Sequence, residues 1–161
     1  MEDKISFSDL HDIIQTVMGW ENDHRFSFEV NGQNIGIAFA DHEINFYKDS
    51  EKTQLWDLLK KESMRFFYTY DFGDNWEHTI VIEKILKKDS TKEYPVCIQG
   101  ECACPPEDCG GVVGYEDLLE IQKDKNHPQY HDRIVGWLGT DFDSQHFDID
   151  KVNQHLPQMS K

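Results

Sequence analysis

The sequence is short of positive charge. Its 161 residues hold 16 Lys and Arg against 31 Asp and Glu, a formal net charge of −15. The cations are scattered, and only Lys60-Lys61 and Lys87-Lys88 are adjacent. A phosphate backbone is bound by clustered cations that displace its counterions, so direct nucleic-acid binding is disfavoured. Anionic membrane surfaces are repelled by the same field. Long hydrophobic runs are missing too, and no stretch approaches the roughly 20 apolar residues that cross a bilayer. The start, Met1 to Lys4, is charged and has no apolar segment of the signal-peptide kind, which leads to the expectation of an intracellular, cytoplasmic protein. There is no internal repeat and no linker-like shift in composition. One domain over residues 1–161 is expected, large enough to fold without disulfides. What is abundant is aromatic: ten Phe, six Tyr and four Trp supply a core and argue against disorder. The acidity itself is first of all solubilising. Its more specific uses are a basic protein partner or divalent cations.

Hydrophobic periodicity lays out the elements. Ser6 to Met18 reads as a helix, with Leu10, Ile13, Ile14, Val17 and Met18 on one face, a Ser6/Asp9 capping box and a Gly19 stop. Arg25 to Phe39 reads as a hairpin around Asn31-Gly32, with Phe26, Phe28 and Val30, then Ile35, Ile37 and Phe39, alternating. Residues 40–52 read as a polar loop. A helix is expected from Thr53 to Met64, with Leu55, Trp56, Leu58 and Leu59 inward. A strand at Arg65–Tyr70, a turn at Asp71–Asn75 and a strand from Trp76 to Leu86 follow. A short strand is expected at Tyr94–Ile98, then helices at Tyr115–Gln122, Pro128–Leu138 and Asp148–Leu156. Sequential hairpins predict an α+β fold: an antiparallel sheet of about five strands with helices mainly on one face.

Two segments carry chemistry. All four cysteines, Cys97, Cys102, Cys104 and Cys109, fall within thirteen residues rich in Pro and Gly. Four thiolates are a ligand set for zinc. The spacing, C-x4-C-x-C-x4-C, is not the paired C-x2-C of zinc ribbons. Packed or free thiols, or a redox pair, account for the same residues. The adjoining Glu107-Asp108 fits carboxylates that bond the loop's own N–H groups or cap the following helix. The second segment, Asp71-Phe72-Gly73-Asp74-Asn75-Trp76-Glu77-His78, offers two Asp, a Glu and a His to a hard cation or to acid–base catalysis. The same residues are also ordinary turn formers. Asp-Phe-Gly here has no kinase context, because neither a glycine-rich loop nor His-Arg-Asp accompanies it.

Tyr70 to His78, Tyr94-Pro95, the loop from Gly100 to Gly111 and Gly114-Tyr115 together resemble the plasmid pRiA4b ORF-3-like family. Its hallmarks are Tyr-Asp-Phe-Gly-Asp-x-Trp-x-His followed by Cys-Pro-Pro-Glu-Asp-x-Gly-Gly. Gly19 to His24, Phe142-Asp143 and Phe147-Asp148 are similar as well. The resemblance implies an α+β fold and a link to plasmids and mobile elements, with no known activity. Members usually begin with an extra strand bearing Pro-x-x-Trp-Arg, which this sequence does not include. An exposed sheet edge, and a monomer or a homodimer paired through it, is the corresponding expectation. Cys104 fits the family pattern best, Cys102 departs from it, and Cys109 stands at a variable position.

The function expected is an intracellular binding or adaptor domain with zinc as the candidate structural metal. The alternative is a metal-dependent hydrolase. In it Asp71, Asp74 and His78, joined by His24 or Glu107, hold an ion that activates water.

Overall fold

A computed structural model describes residues 5–37 and 47–156. The first helix, α1 (Phe7–Met18), begins as its sequence dictates. Ser6 Oγ accepts from the Asp9 N–H at 3.0 Å, and the Asp9 carboxylate accepts from the Ser6 N–H at 2.7 Å. Gly19, at φ +79, ends it by donating to Gln15 O at 2.8 Å. The buried stripe, however, is Phe7, His11 and Gln15. Leu10, Ile14 and Met18 are only half-buried beside it. Two polar side chains thus occupy the face expected to be wholly apolar, because they find hydrogen-bond partners beneath it.

Strands β1 (Phe26–Val30) and β2 (Gln33–Gly36) form the expected hairpin, with Val30 opposite Gln33 and both turn residues, Asn31 and Gly32, at positive φ. Phe26, Phe28, Val30 and Ile35 are buried, whereas Ile37 is exposed and Phe39 lies outside the described residues. Strand β3 (Tyr47–Asp49) falls inside the stretch expected to be loop, and it pairs with β2 in parallel. The sheet is therefore mixed, not purely antiparallel. Three residues, Tyr-Lys-Asp, are too few to show an alternating signal, so only pairing reveals them.

Helix α2 (Leu55–Leu58) is a single turn, although a helix to Met64 was expected. Sheet pairing overrides helix propensity there. Ser63 N–H donates to Ile82 O and Ile82 N–H to Met64 O, which draws residues 63–64 into the extension of the next hairpin. Trp56 is half exposed, not inward. That hairpin is β4 (Arg65–Tyr70) and β5 (Trp76–Val81), closed with Tyr70 opposite Trp76. The sheet order is β3-β2-β1-β4-β5. Along β4, Phe66, Tyr68 and Tyr70 are buried, and Phe67 between them is exposed.

Tyr94–Ile98 is not a strand. The Cys97 backbone is clasped by Asn153, which accepts from its N–H at 2.8 Å and donates to its C=O at 2.9 Å. A side chain thus supplies the partners that a sheet neighbour would have given. Helix α3 (Gly111–Lys123) starts four residues earlier than the sequence suggested. The segment His131–Leu138 is π-helical, and it ends where Gly139 N–H reaches Ile134 O at 2.8 Å. Helix α4 (Ile149–His155) has the expected Asp148 cap. The core joins Phe7, Phe28, Phe66, Tyr68 and Tyr70 to Leu118, Ile121 and Ile134.

Candidate functional site

Three segments meet at the Tyr70 end of the β4–β5 hairpin: the exit of α1 (residues 19–25), the 71–75 turn and the Cys-Pro loop. Their union is made by polar bonds between specific partners. Trp20 stacks on Tyr70 with ring centroids 4.7 Å apart, and its indole N–H donates to Pro105 O at 3.0 Å. The Tyr70 hydroxyl donates to Glu107 Oε1 at 2.7 Å, and the Glu21 N–H donates to the same oxygen at 3.0 Å. Asp71 N–H donates to Arg25 O at 2.9 Å, tying the turn to the α1 exit.

These bonds bring His24, Asp71 and Asp108 together. His24 Nε2 lies 3.0 Å from Asp108 Oδ1, and Nδ1 lies 3.8 Å from Asp71 Oδ1. One ligand atom from each fits within 4.8 Å of the others, the grouping of this kind among the described residues. Asp71 is buried, His24 is about one-third exposed, and Asp108 faces solvent with 72% of its side chain accessible. The cluster is thus closed at its base and open at its rim. Asp71 and Asp108 both have left-handed backbones, at φ +51 and +54. Non-glycine residues seldom adopt that conformation, and Asp tolerates it better than most. Asp71 also accepts from Gly73 N–H at 2.8 Å, so turn formation and site formation use one side chain.

The other expected site residues go elsewhere. Asp74 accepts from Gly110 N–H at 3.0 Å, at the cap of α3. His78 turns inward, with Nδ1 3.3 Å from Tyr68 O and its ring edge-on to Trp20, and burial lowers its pKa. Glu107 bridges the segments as described, and its second oxygen, Oε2, is buried without a partner. Burial, reinforced by the bond to Glu107, raises the pKa of Tyr70. Beside Glu107 is an open cavity of about 350 Å³, walled by Met18, Cys104, Pro105, Trp137 and Phe142.

Burial first, and then Cys104, Cys109 and Cys102 nearby, raise the pKa of Tyr115, and Cys104 also feels Cys109, yet the four thiols differ in exposure and partners. Cys97 faces Gln99 O, Cys102 is exposed near Gln145, Cys104 is half-buried against the core, and Cys109 is buried. None belongs to the His24–Asp71–Asp108 grouping. Burial drives the Cys104 thiol far up and the Cys109 thiol up to about 11.

Asp108 is the residue that sequence reasoning passed over. Beside Glu107 it reads as a cap or loop-bonding carboxylate, and its partner His24 lies in a distant segment. The available signal was a carboxylate in a Gly- and Pro-rich loop, which does not say what it faces.

Comparison with known proteins places these segments in a family. The sequence model described as "Plasmid pRiA4b ORF-3-like protein" matches residues 1–151. The chain is similar to the uncharacterized protein y4hQ of Sinorhizobium fredii, with 32% identity over 159 residues, 97% of this chain and 80% of that one. It is also similar to the crystal structure of MM3350, a protein of unknown function from Methanosarcina mazei Go1. There the TM-score is 0.78 and the identity 42%, covering 92% of this chain and 83% of the other. With nearly the whole sequence matched, the chain belongs to the plasmid pRiA4b ORF-3-like family.

Proposed function

We propose that this protein is a divalent-cation-binding domain, with His24, Asp71 and Asp108 as the protein ligands. One observation carries the reading: three side chains from three separate segments converge, their ligand atoms within 4.8 Å of one another. One imidazole with two carboxylates suits borderline Zn²⁺ or a harder ion such as Mn²⁺ better than a soft ion such as Cu(I). The buried, unpartnered Glu107 Oε2 adds negative character beside the cluster, and the net charge of −15 favours cation entry.

The exposed rim favours metal-dependent hydrolysis as the activity of such a site. Structural zinc sites are closed by four protein ligands, whereas catalytic ones use three and keep a position for water. In this version Asp71 and His24 come from the expected hydrolase set, Asp108 replaces Asp74, and His78 stays structural. A basic protein partner, recruited by the acidic surface, is compatible with the same site.

The test is calorimetric titration of chelator-treated protein with Zn²⁺ and with Mn²⁺. About one ion per chain is expected, with at least roughly tenfold weaker binding in His24→Ala, Asp71→Asn and Asp108→Asn. No uptake by the wild type, or unaltered affinity in all three variants, would reject the proposal.

A further inference from the structure

The last turn of α1, the Cys-Pro loop and the end of the π-helical segment enclose the cavity of about 350 Å³ beside Glu107. Its walls are anchored. The Cys-Pro loop is tied to Trp20 through the Pro105 C=O. Phe142 packs edge-on to Tyr115 with centroids 6.4 Å apart, and its C=O accepts from Gln122 Nε2 at 2.8 Å. Trp137 and Leu138 come from π-helical backbone, a rare conformation that recurs at functional sites. Trp137 keeps 47% of its surface exposed, so a large part of its indole is left uncovered.

Glu107 is the one charged residue lining this cavity among the described residues. Its two oxygens are treated unequally. Oε1 accepts from the Tyr70 hydroxyl and the Glu21 N–H, while Oε2 is buried with no partner. A buried acceptor without a donor is costly, and the cavity wall supplies none. Pro105 and Pro106 have no N–H, the Gly19 N–H is taken by Gln15 O, and the Trp20 indole N–H is taken by Pro105 O.

We propose that this cavity binds a small organic ammonium, with its apolar body against Met18, Leu138 and Phe142 and its charge against Glu107 and Trp137. The proposal does not rest on the cation site at His24, Asp71 and Asp108. The volume lies at the small end of the range for small-molecule sites, about 300–1,000 Å³. Glu107 Oε2 is already stripped of water, so a nearby cation is attracted through a low dielectric without first dehydrating it. An exposed indole favours a cation further. A neutral alcohol could donate to Oε2 but would forgo both attractions. A metal ion is poorly served here. Burial, and then the charge of Glu107, keep the Cys104 thiol neutral, which leaves one carboxylate as the ligand.

NMR titration of the full chain in chelator, at about pH 7 and about 0.15 M salt, tests the proposal with hexylammonium as probe. Hexanol and hexanoate are controls of equal length. The amine is protonated at that pH, as lysine is, and the salt screens the diffuse attraction of the acidic surface. Hexylammonium should shift the signals of Met18, Trp137 and Leu138 and bind roughly tenfold more tightly than hexanol, the margin of a charged over a neutral hydrogen bond. Hexanoate should not bind. Glu107→Gln keeps an acceptor for Tyr70 and Glu21 but removes the charge, and should bring hexylammonium down to the level of hexanol. Should that variant not fold, Trp137→Ala, at a half-exposed position, should weaken hexylammonium roughly fivefold. Equal affinity for hexanol and hexylammonium overturns the proposal. So do shifts centred on residues 24, 71 and 108, or unchanged binding in Glu107→Gln or, failing that, in Trp137→Ala. A lysine-rich peptide that binds the cavity when hexylammonium does not would assign it to a protein partner and overturn the small-molecule reading. Zn²⁺ titration after removal of the chelator keeps the two sites apart. Hexylammonium binding without metal uptake supports the cavity and rejects the cation site, and metal uptake without hexylammonium binding does the reverse.

Discussion

The Tyr70 hydroxyl donates to Glu107 Oε1 across 2.7 Å, and this one bond joins strand β4 to the Cys-Pro loop. Tyr70 is fully buried, and the same hydroxyl receives the His24 N–H at 3.4 Å. The three segments that make the candidate site therefore share one phenolic oxygen. The family-like motifs Tyr-Asp-Phe-Gly-Asp and Cys-Pro-Pro-Glu-Asp meet here side chain to side chain.

Tyr70→Phe removes the donor to Glu107 while keeping the ring that Trp20 covers. A bond to a carboxylate contributes about 1.5–3 kcal/mol. The variant should lose an amount of this order in urea unfolding, with weakened cation binding as the Cys-Pro loop loosens. A loss below about 0.5 kcal/mol, the level of a neutral surface change, would show that the loop is held by other contacts.

Asp74 and Asp71 are separable. Asp74→Ala deprives the Gly110 N–H of its partner at the start of α3 and should cost about 1 kcal/mol of stability. It should leave cation affinity intact, in contrast to Asp71→Asn. Titrating both variants with Zn²⁺ decides the matter, and loss of binding in Asp74→Ala would move the site toward the Asp71, Asp74 and His78 set.

The thiols should react unequally. Cys102 is exposed, whereas Cys109 is buried with its thiol pushed up to about 11 and Cys104 is driven further in the same direction. At pH 8 the thiolate fraction of Cys109 is roughly a hundredfold below that of an ordinary cysteine. A disulfide reagent should thus titrate Cys102 quickly and Cys104 and Cys109 only slowly, until denaturant exposes them. Four thiols masked together and released together by a chelator would instead favour the four-cysteine zinc set.

Some elements were readable because their signals are local. The Ser6/Asp9 box, the Asn31-Gly32 turn and the Asp148 cap each satisfy a backbone group within three residues, and all three form as expected. The elements misjudged are those settled by distant partners. The expected helix to Met64 yields to pairing of residues 63–64 with Ile82, and the expected strand at Tyr94–Ile98 yields to Asn153.

The sequence by itself determined the acidic charge, the aromatic core, the α+β class, the family and the two segments that, with the α1 exit, supply the candidate residues. These depend on composition and on spacings of a few residues, which a chain carries whether folded or not. Tertiary structure decided that β3 joins in parallel, that Asp74 bonds the Gly110 N–H, that His78 turns toward Tyr68 O, and that Asp108 meets Asp71 at His24. The physical reason is that a carboxylate's role is set by what faces it, and residues 24, 71 and 108 face one another only after α1, the β4–β5 hairpin and the Cys-Pro loop have packed together.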